Sequence, residues 1–590
     1  MESTNNNVSP LAKVNWHTRK AALCSLISLV LLGSCSVDNA YDMSKDIDLT
    51  MALGSNGLAL KLGNTEKMYL KDIIKIDASN LVDTITSGSN RGLYYLVKSG
   101  SSKFNVNVKS IAPFDVSPIH IETNNLFIAQ TNIPGFNSQA DTMISVSSDV
   151  SVKMPNIPVE VKEIHTISLN NVSATIKLST DNSKFKIGSY TNLKIKFPNF
   201  VKSSSLNSAN EYFITGSSQT ITIPIQSLEF PVNGSFGQKV DNGEIRQSGT
   251  IFINGDIAFS TNGTVNIVQG ETAKAVFNIS FSQISSQQIT GLVNPTINFN
   301  AAPLQIKSGL PDFLQDDEIH FSATNPTLKL SFNTQNLPVP IIFQGVVESK
   351  KSGQTLASVS IPESGHVNIA KNSTTVSYFS QTGTPFDPFG TNLPIHNETV
   401  SSLNKLVTKL PDEIGVNFND GKVTADQSVE HTIRLGQSYG VGVDYQILIP
   451  FQFDKDLKIL YNDSIVDMNK DLKDYQAEGL TITATAVNTI PLNLVTEIVP
   501  YDIHGKIIKE IAVESATIAL GTLDAPKETE VSVKFTPTSP ADVSKIEKLK
   551  FRFTASASDL TSDKTLLSAQ YVQLNNLRIK LNGKVITNFN

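Results

Sequence analysis

Along most of the chain beyond residue 100, apolar and polar side chains alternate with a period of two. Val172, Ala174, Ile176 and Leu178 are separated by Ser173, Thr175 and Lys177, and Leu480, Ile482, Ala484 and Ala486 by Thr481, Thr483 and Thr485. Successive side chains of an extended strand point to opposite faces, so this spacing predicts half-buried antiparallel strands with one face on a core. The runs are short and stop at Gly, Asn, Asp and Pro. Asp241-Asn242-Gly243 and Asp502-Ile503-His504-Gly505 supply residues that tolerate positive φ, and they predict hairpin turns. Many short strands with this punctuation predict an all-β chain of several tandem antiparallel β-sandwich, Ig-like domains with a few short helices.

Helical spacing is rare. Val400, Leu403, Leu406, Val407 and Leu410 make one apolar face, and Pro411 stops it, which predicts a linker helix over 399–410. Shorter helical pieces are expected around 67–76 and 467–475. Domain boundaries are expected near 150, 310 and 400. The expected units are a leader (1–34), a tether (35–50), an N-terminal β domain (51–150), a β-sandwich (151–310), an Ig-like β domain (311–400) and a C-terminal β domain (401–590) opening with the short helix.

One local pattern recurs, with basic residues between apolar ones: Leu193-Lys194-Ile195-Lys196-Phe197, Leu549-Lys550-Phe551-Arg552-Phe553 and Leu577-Arg578-Ile579-Lys580-Leu581. A basic stripe for an anionic ligand is one reading. The preferred one is an edge or solvent-facing strand that Lys and Arg protect from edge-to-edge pairing.

Charged residues are only 17% of the 590, and Ser, Thr and Asn fill the deficit, as on the solvent faces of extracellular β proteins. The net charge of −6 is spread without blocks, which argues against nucleic-acid binding, since that needs a concentrated basic face. The two cysteines, Cys24 and Cys35, both lie at the N-terminus. Lys13, His17, Arg19 and Lys20 form a basic region before the mostly apolar run Ala21–Leu32. That run is too short to cross a bilayer, which takes about 20 residues.

The run ends in Leu32-Gly33-Ser34-Cys35, which resembles the bacterial lipobox: a branched apolar residue, two small residues, then the cysteine that receives the lipid. The resemblance implies cleavage before Cys35, lipidation there and contact with the membrane through that lipid. The mature chain then has no disulfide, no thiol nucleophile, no Cys-bound metal and no tryptophan, because Trp16 leaves with the leader. Ser36-Val37-Asp38-Asn39-Ala40-Tyr41-Asp42 is similar to the acidic export signal of surface-exposed lipoproteins of the Bacteroidota, with the acidic residues spaced rather than consecutive.

A wider resemblance rests on Lys45-Asp46-Ile47-Asp48-Leu49, Gly309-Leu310-Pro311-Asp312-Phe313, Thr324-Asn325-Pro326-Thr327-Leu328, Leu410-Pro411-Asp412-Glu413-Ile414 and Ala477-Glu478-Gly479-Leu480. Together these resemble large uncharacterised surface lipoproteins of the Bacteroidota. The Asn-Pro and Leu337-Pro338-Val339-Pro340 punctuation is also similar to the Ig-like module of late-embryogenesis-abundant proteins. The resemblance implies an outer-membrane, surface-exposed location and a sandwich fold, but no activity. Asp83-Thr84-Ile85, Asp141-Thr142-Met143 and Asp463-Ser464-Ile465 resemble the O-glycosylation acceptor of exported Bacteroidota proteins.

Residues with catalytic potential form no recognisable constellation. The mature chain's histidines at 120, 165, 320, 366, 396, 431 and 504 include no pair at helical or hairpin metal spacing. No nucleophile elbow, phosphate loop or dinucleotide fingerprint is present. Asp316-Asp317-Glu318 and Asp454-Lys455-Asp456 could offer oxygens to calcium but lack the spacing of a calcium loop, and solvated loops are the preferred reading. No cofactor and no metal site are therefore expected.

Three functions compete. The expected one is a structural, adhesive or binding surface protein without catalysis. A glycan-binding lipoprotein of a nutrient-uptake system is weakened by the loss of Trp as a stacking platform. A hydrolase with dispersed carboxylates ranks last, since such pairs meet in space and leave no sequence signal. The candidate partner-binding loop is 380–394, broken by Pro and Gly, in which Phe386 and Phe389 could offer an apolar contact or plug the junction before 399–410.

Mass spectrometry of the mature N-terminus should find residues 1–34 absent and Cys35 lipidated. Cys35→Ala should release the chain or leave an unprocessed precursor; an intact N-terminus in the envelope would contradict the assignment.

Overall fold

The structure, a computed structural model, describes residues 51–53, 58–74, 76, 81–215, 218–297, 301–307, 314, 318–418, 423–473, 475–557 and 564–587. Cys35 and the leader lie outside the described residues. The described chain is an all-β assembly of antiparallel sheets, as the alternation predicts. Val172, Ala174, Ile176 and Leu178 all turn into the core along Val161–Thr180. Asn242 and Gly243 take positive φ in a two-residue hairpin closed by both hydrogen bonds between Asp241 and Glu244. At the second predicted turn the Asp502 carboxylate accepts the N–H groups of His504 and Lys506, and Gly505 takes the positive φ.

Three pairs of sheet layers account for most strands. In the first, an eight-stranded sheet centred on Val161–Thr180 faces a five-stranded sheet centred on Ile245–Ile267. In the second, a six-stranded sheet runs in the order Ile395–Thr399, Thr374–Ser380, Thr327–Asn333, Ser438–Pro450, Tyr94–Asn107, Val82–Thr84. Its inner face packs on a four-stranded and a three-stranded sheet, and the Phe343 ring lies 5.0 Å from Phe332 and 6.0 Å from Phe379. In the third, a seven-stranded sheet containing Tyr475–Asn488 and Tyr571–Thr587 packs on a four-stranded sheet containing Lys548–Ser556.

Sheet pairing crosses the expected boundaries. Residues 51–150, expected as one N-terminal domain, are divided among all three pairs of layers. Met51–Leu53 and Leu58–Gly63 pair with Tyr571–Thr587, Tyr94–Asn107 pairs with Ser438–Pro450, and Thr142–Met154 pairs with Ile245–Ile267. His431–Arg434 reaches the first sandwich by pairing with Ser286–Val293 before the chain returns to the second. The stretches expected as 311–400 and 401–590 likewise share one sheet. Alternation sets which side chains are buried but carries no information on which distant strand supplies the partner edge.

Two local expectations are also corrected. The helix expected over 399–410 is only the 3-10 segment Leu403–Val407, although Val400, Leu403, Leu406, Val407 and Leu410 are all buried as their spacing predicts. Thr399 still belongs to a strand, and Glu363 holds Ser401 and Ser402 from outside, leaving too few residues for a longer helix. The basic side chains of the three striped segments are exposed or partly exposed, but the segments are not edges, since each has a strand on both sides.

The core runs without a break from Leu70 to Val572. Its junction between the second and third pairs of layers is aromatic: Phe321 lies 5.4 Å from Phe451 and 5.1 Å from Phe453, and Tyr94 lies 6.1 Å from Phe451.

His431, at the start of the crossing strand, is 1% exposed. Its Nδ1 accepts the Val293 N–H at 3.4 Å, and its Nε2 meets no partner among the described residues. Burial lowers its pKa, and hydrogen bonds to the Asp426 and Val293 backbones with the Asp426 charge only partly offset this. The neutral ring is thus the folded form. The stability it supports is complete above the ordinary value of about 6.5 and is lost as pH falls from there towards the depressed folded value. Unfolding by denaturant at stepped pH should show a decline as pH falls below the ordinary histidine value that is shallower in His431→Leu; equal slopes would contradict it.

Candidate functional site

The outer face of the six-stranded sheet holds an open concavity. Antiparallel registers align its side chains in cross-strand rows. One row runs Tyr378, Lys329, Gln446, Ser99, and the next runs Ser331, Asp444, Ser101. All of these but Tyr378, with Gly100 and Tyr445, line an open groove of about 430 Å³. Its floor is close-fitting from below. A Cβ on Gly100 would lie 2.6 Å from the Tyr445 ring, so glycine there lets that ring cross beneath the strand and its hydroxyl donate to Ala302 O at 2.7 Å.

The loop singled out by sequence walls this groove, and topology explains why. Thr374–Ser380 and Ile395–Thr399 are neighbours but parallel. Parallel neighbours cannot be joined by a hairpin, so the chain must travel back along the sheet before re-entering it. Residues 381–394 make that return over the outer face. The Phe386 N–H donates to Thr327 Oγ1 at 2.9 Å, and Asn325 Nδ2 donates to Thr384 O at 3.0 Å. Beneath this half of the face, Thr327 and Leu448 are fully buried, so Leu448, Ile449 and Pro450 lose the alternation seen earlier in their strand. Gly383 takes φ +78° with its α-carbon facing Thr399 Oγ1, where a Cβ would come within 2.6 Å.

An ion pair clamps the loop to the sheet. Lys329 Nζ lies 2.7 Å from Asp387 Oδ2, with the side chains 16% and 7% exposed, and it also donates to Gly390 O at 3.3 Å. Tyr378 donates its hydroxyl to the same carboxylate oxygen, and the Phe389 N–H donates to Asp387 Oδ1 at 2.9 Å. Burial works against the Asp387 charge, but the hydrogen bonds from Lys329, Tyr378 and Phe389 outweigh it and hold the pKa below the usual carboxylate value. Burial, with the same hydrogen bond, pushes the Tyr378 phenol up.

The two predicted phenyl rings both rest on Tyr95. Phe386 and Phe389 meet its ring edge-on at 5.7 and 6.1 Å. Phe386 is half-buried, while Phe389 is 57% exposed. The structure therefore brings them together at one anchor while leaving a single ring available to solvent. Lys329, Ser331, Asp387, Asp444 and Gln446 were not singled out by sequence. The alternation of Leu328-Lys329-Leu330-Ser331-Phe332 does put Lys329 and Ser331 on the solvent face, but nothing in it selects the neighbouring strands.

Elsewhere the acidic candidates serve turns and ion pairs. Asp454 accepts the Asp456 N–H at 2.8 Å, and Glu318 pairs with Arg552 at 2.6 Å, whereas Asp316 and Asp317 lie outside the described residues. Among the triplets, Asp83 accepts the Tyr95 hydroxyl at 3.3 Å and Asp141 accepts that of Thr191 at 3.2 Å.

No family model matches the chain. No curated protein matches it either. Among solved structures it is similar to a candidate secreted protein from Parabacteroides distasonis, at 14% identity over 50% of this chain and 89% of that one, with a TM-score of 0.35. A structure of the infectious bursal disease virus Gx strain is matched at 9% identity over 87% and 82%, with a TM-score of 0.13. PNGF-II is matched at 8% identity over 79% and 98%, with a TM-score of 0.11. At such scores none of these likenesses bears on function.

Asp387→Asn leaves the Lys329 charge half-buried without its counter-charge and should destabilise the fold by about 1–3 kcal/mol in denaturant unfolding. Phe386→Ser should lower the melting temperature, whereas Phe389→Ser should change stability by no more than about 0.5 kcal/mol. Equal losses for the two phenyl variants would show that Phe389 is also a structural plug.

Proposed function

We propose that this chain is a lipid-anchored surface protein of the outer membrane that acts by binding a partner, without catalysis. The observation that carries the reading is the groove on the six-stranded sheet. Ser331, Asp444 and Ser101 form a cross-strand row whose side chains make no hydrogen bond to another group among the described residues, and a loop is clamped to Lys329 in the neighbouring row. Most polar groups in a folded domain are satisfied internally or by scattered water, so a concentrated row of unspent donors and acceptors supports a binding site. Rigid strands hold that row, and a loop supplies the exposed ring, which is how antiparallel sandwiches present variable contacts.

The anchoring half of the proposal rests on the lipobox. The first described strand, Met51–Leu53, pairs with Tyr571–Thr587, so the seven-stranded sheet contains the described residues nearest in sequence to Cys35. A glycan-binding role in nutrient uptake is the second reading, favoured by the neutral hydroxyls of the groove.

Filling the groove with Ser101→Arg should abolish partner binding at the cell surface while surface display and melting temperature stay unchanged. Binding that persists with the groove filled would overturn this placement of the site. Turnover of any glycan, peptide or ester by the pure protein would overturn the non-catalytic assignment.

A further inference from the structure

We infer that the groove takes a neutral polyhydroxylated chain, a glycan without acidic groups, laid along the Ser438–Pro450 strand; this rests on the binding role proposed above. Charge decides first. Lys329 is the cation of the groove, and Asp387 already neutralises it. Asp444 makes no ion pair among the described residues, and Lys103, opposite Gly442 on the same face, is the next cation along the sheet, so the groove holds no excess of positive charge. A phosphate, sulfate or uronate would meet that carboxylate at short range, and the repulsion disfavours anionic ligands.

Hydrogen-bonding capacity narrows the class further. Ser99, Ser101 and Ser331 offer hydroxyls that both donate and accept. Gln446 uses its amide N–H on Ser99 at 2.9 Å, which leaves its carbonyl oxygen as an acceptor. The Asp444 carboxylate can accept two O–H bonds at once. Vicinal hydroxyls donate and accept in the same way, and hydrogen bonds to an ionised acceptor are the strong ones.

Shape selects a chain rather than an enclosed small molecule. The groove is floored by three adjacent strands and is open at the surface. Along the central strand it runs out over Gly442, which follows Asp444 on the same face, adds no side chain and is flanked by Lys103 and Asn333. On the Lys329 side stands the clamped loop, whose Gly390 carbonyl accepts from Lys329.

The full mature chain should be run in affinity electrophoresis and calorimetry against neutral gluco-, galacto-, manno- and xylo-configured glycans, with heparin and oligolysine as charged probes. At least one neutral glycan should bind, and Asp444→Ala and Ser331→Arg should each weaken it by about tenfold or more without lowering the melting temperature. Ser147→Arg, on the outer face of the first sandwich, should change nothing. Three results overturn the inference. Neutral-glycan binding unaffected by both groove variants puts the glycan elsewhere. Oligolysine binding through Asp444 without any neutral glycan makes the partner a basic peptide and leaves the groove's binding role intact. Failure of all probes, with cell-surface partner binding also indifferent to Ser331→Arg, removes both the glycan and the groove.

Discussion

The pairing of Tyr94–Asn107 with Ser438–Pro450 is the contact on which the rest of this molecule depends. It runs in unbroken antiparallel register from Tyr95 opposite Pro450 to Asn107 opposite Ser438. A ladder of this length satisfies backbone groups on both strands, and it fixes every outer-face side chain, because a slip of one residue would turn the polar row inward. With the register as it stands, Ser99 faces Gln446, Ser101 faces Asp444, and Gly100 leaves room for the Tyr445 ring below. The same ladder brings Tyr94 to Phe451 and so ties the second pair of layers to the third.

A second constraint follows from one parallel pair in an otherwise antiparallel sheet. Because Ile395–Thr399 runs parallel to Thr374–Ser380, a return segment must cover part of the outer face. That cover converts half of an ordinary solvated face into a second packed layer and leaves the other half as a groove. The clamp that holds it is electrostatic, and it is strong because it is shielded: Lys329, Asp387 and Tyr378 form a network with little water access, where hydrogen bonds and charge reinforce one another. Its use of the Lys329 charge is also what leaves the groove with only a carboxylate unspent.

The contrast with the first sandwich is instructive. The outer face of its five-stranded sheet also carries exposed rings, with Phe213 at 52% and Phe252 at 42% exposure. There Lys194 pairs with Glu211 at 2.8 Å, and Ser145 donates to Asn254 at 2.7 Å, so the polar groups of that face are largely spent on one another. A flat face with satisfied polar groups offers little directional binding, whereas the walled groove combines a wall, an open trough and unspent donors.

Sequence by itself determined the strand class, the inward-facing residues of strands such as Val161–Thr180, the hairpins at Asn242-Gly243 and Asp502–Gly505, and the irregularity of 380–394. These are local properties: a period of two, a tolerance for positive φ, and a Pro or Gly that cannot continue a strand. It also placed the buried set of 400–410 correctly while overestimating the helix, since apolar spacing reports burial better than it reports the tightness of a turn. Tertiary structure alone decided which strands share an edge. The partners Ser101, Ser331 and Asp444 lie more than 100 residues apart in sequence, and each looks there like one of many solvent-facing positions. Long-range pairing is selected by the fit of whole faces and by closure of the core, and neither is encoded in any single window of the chain.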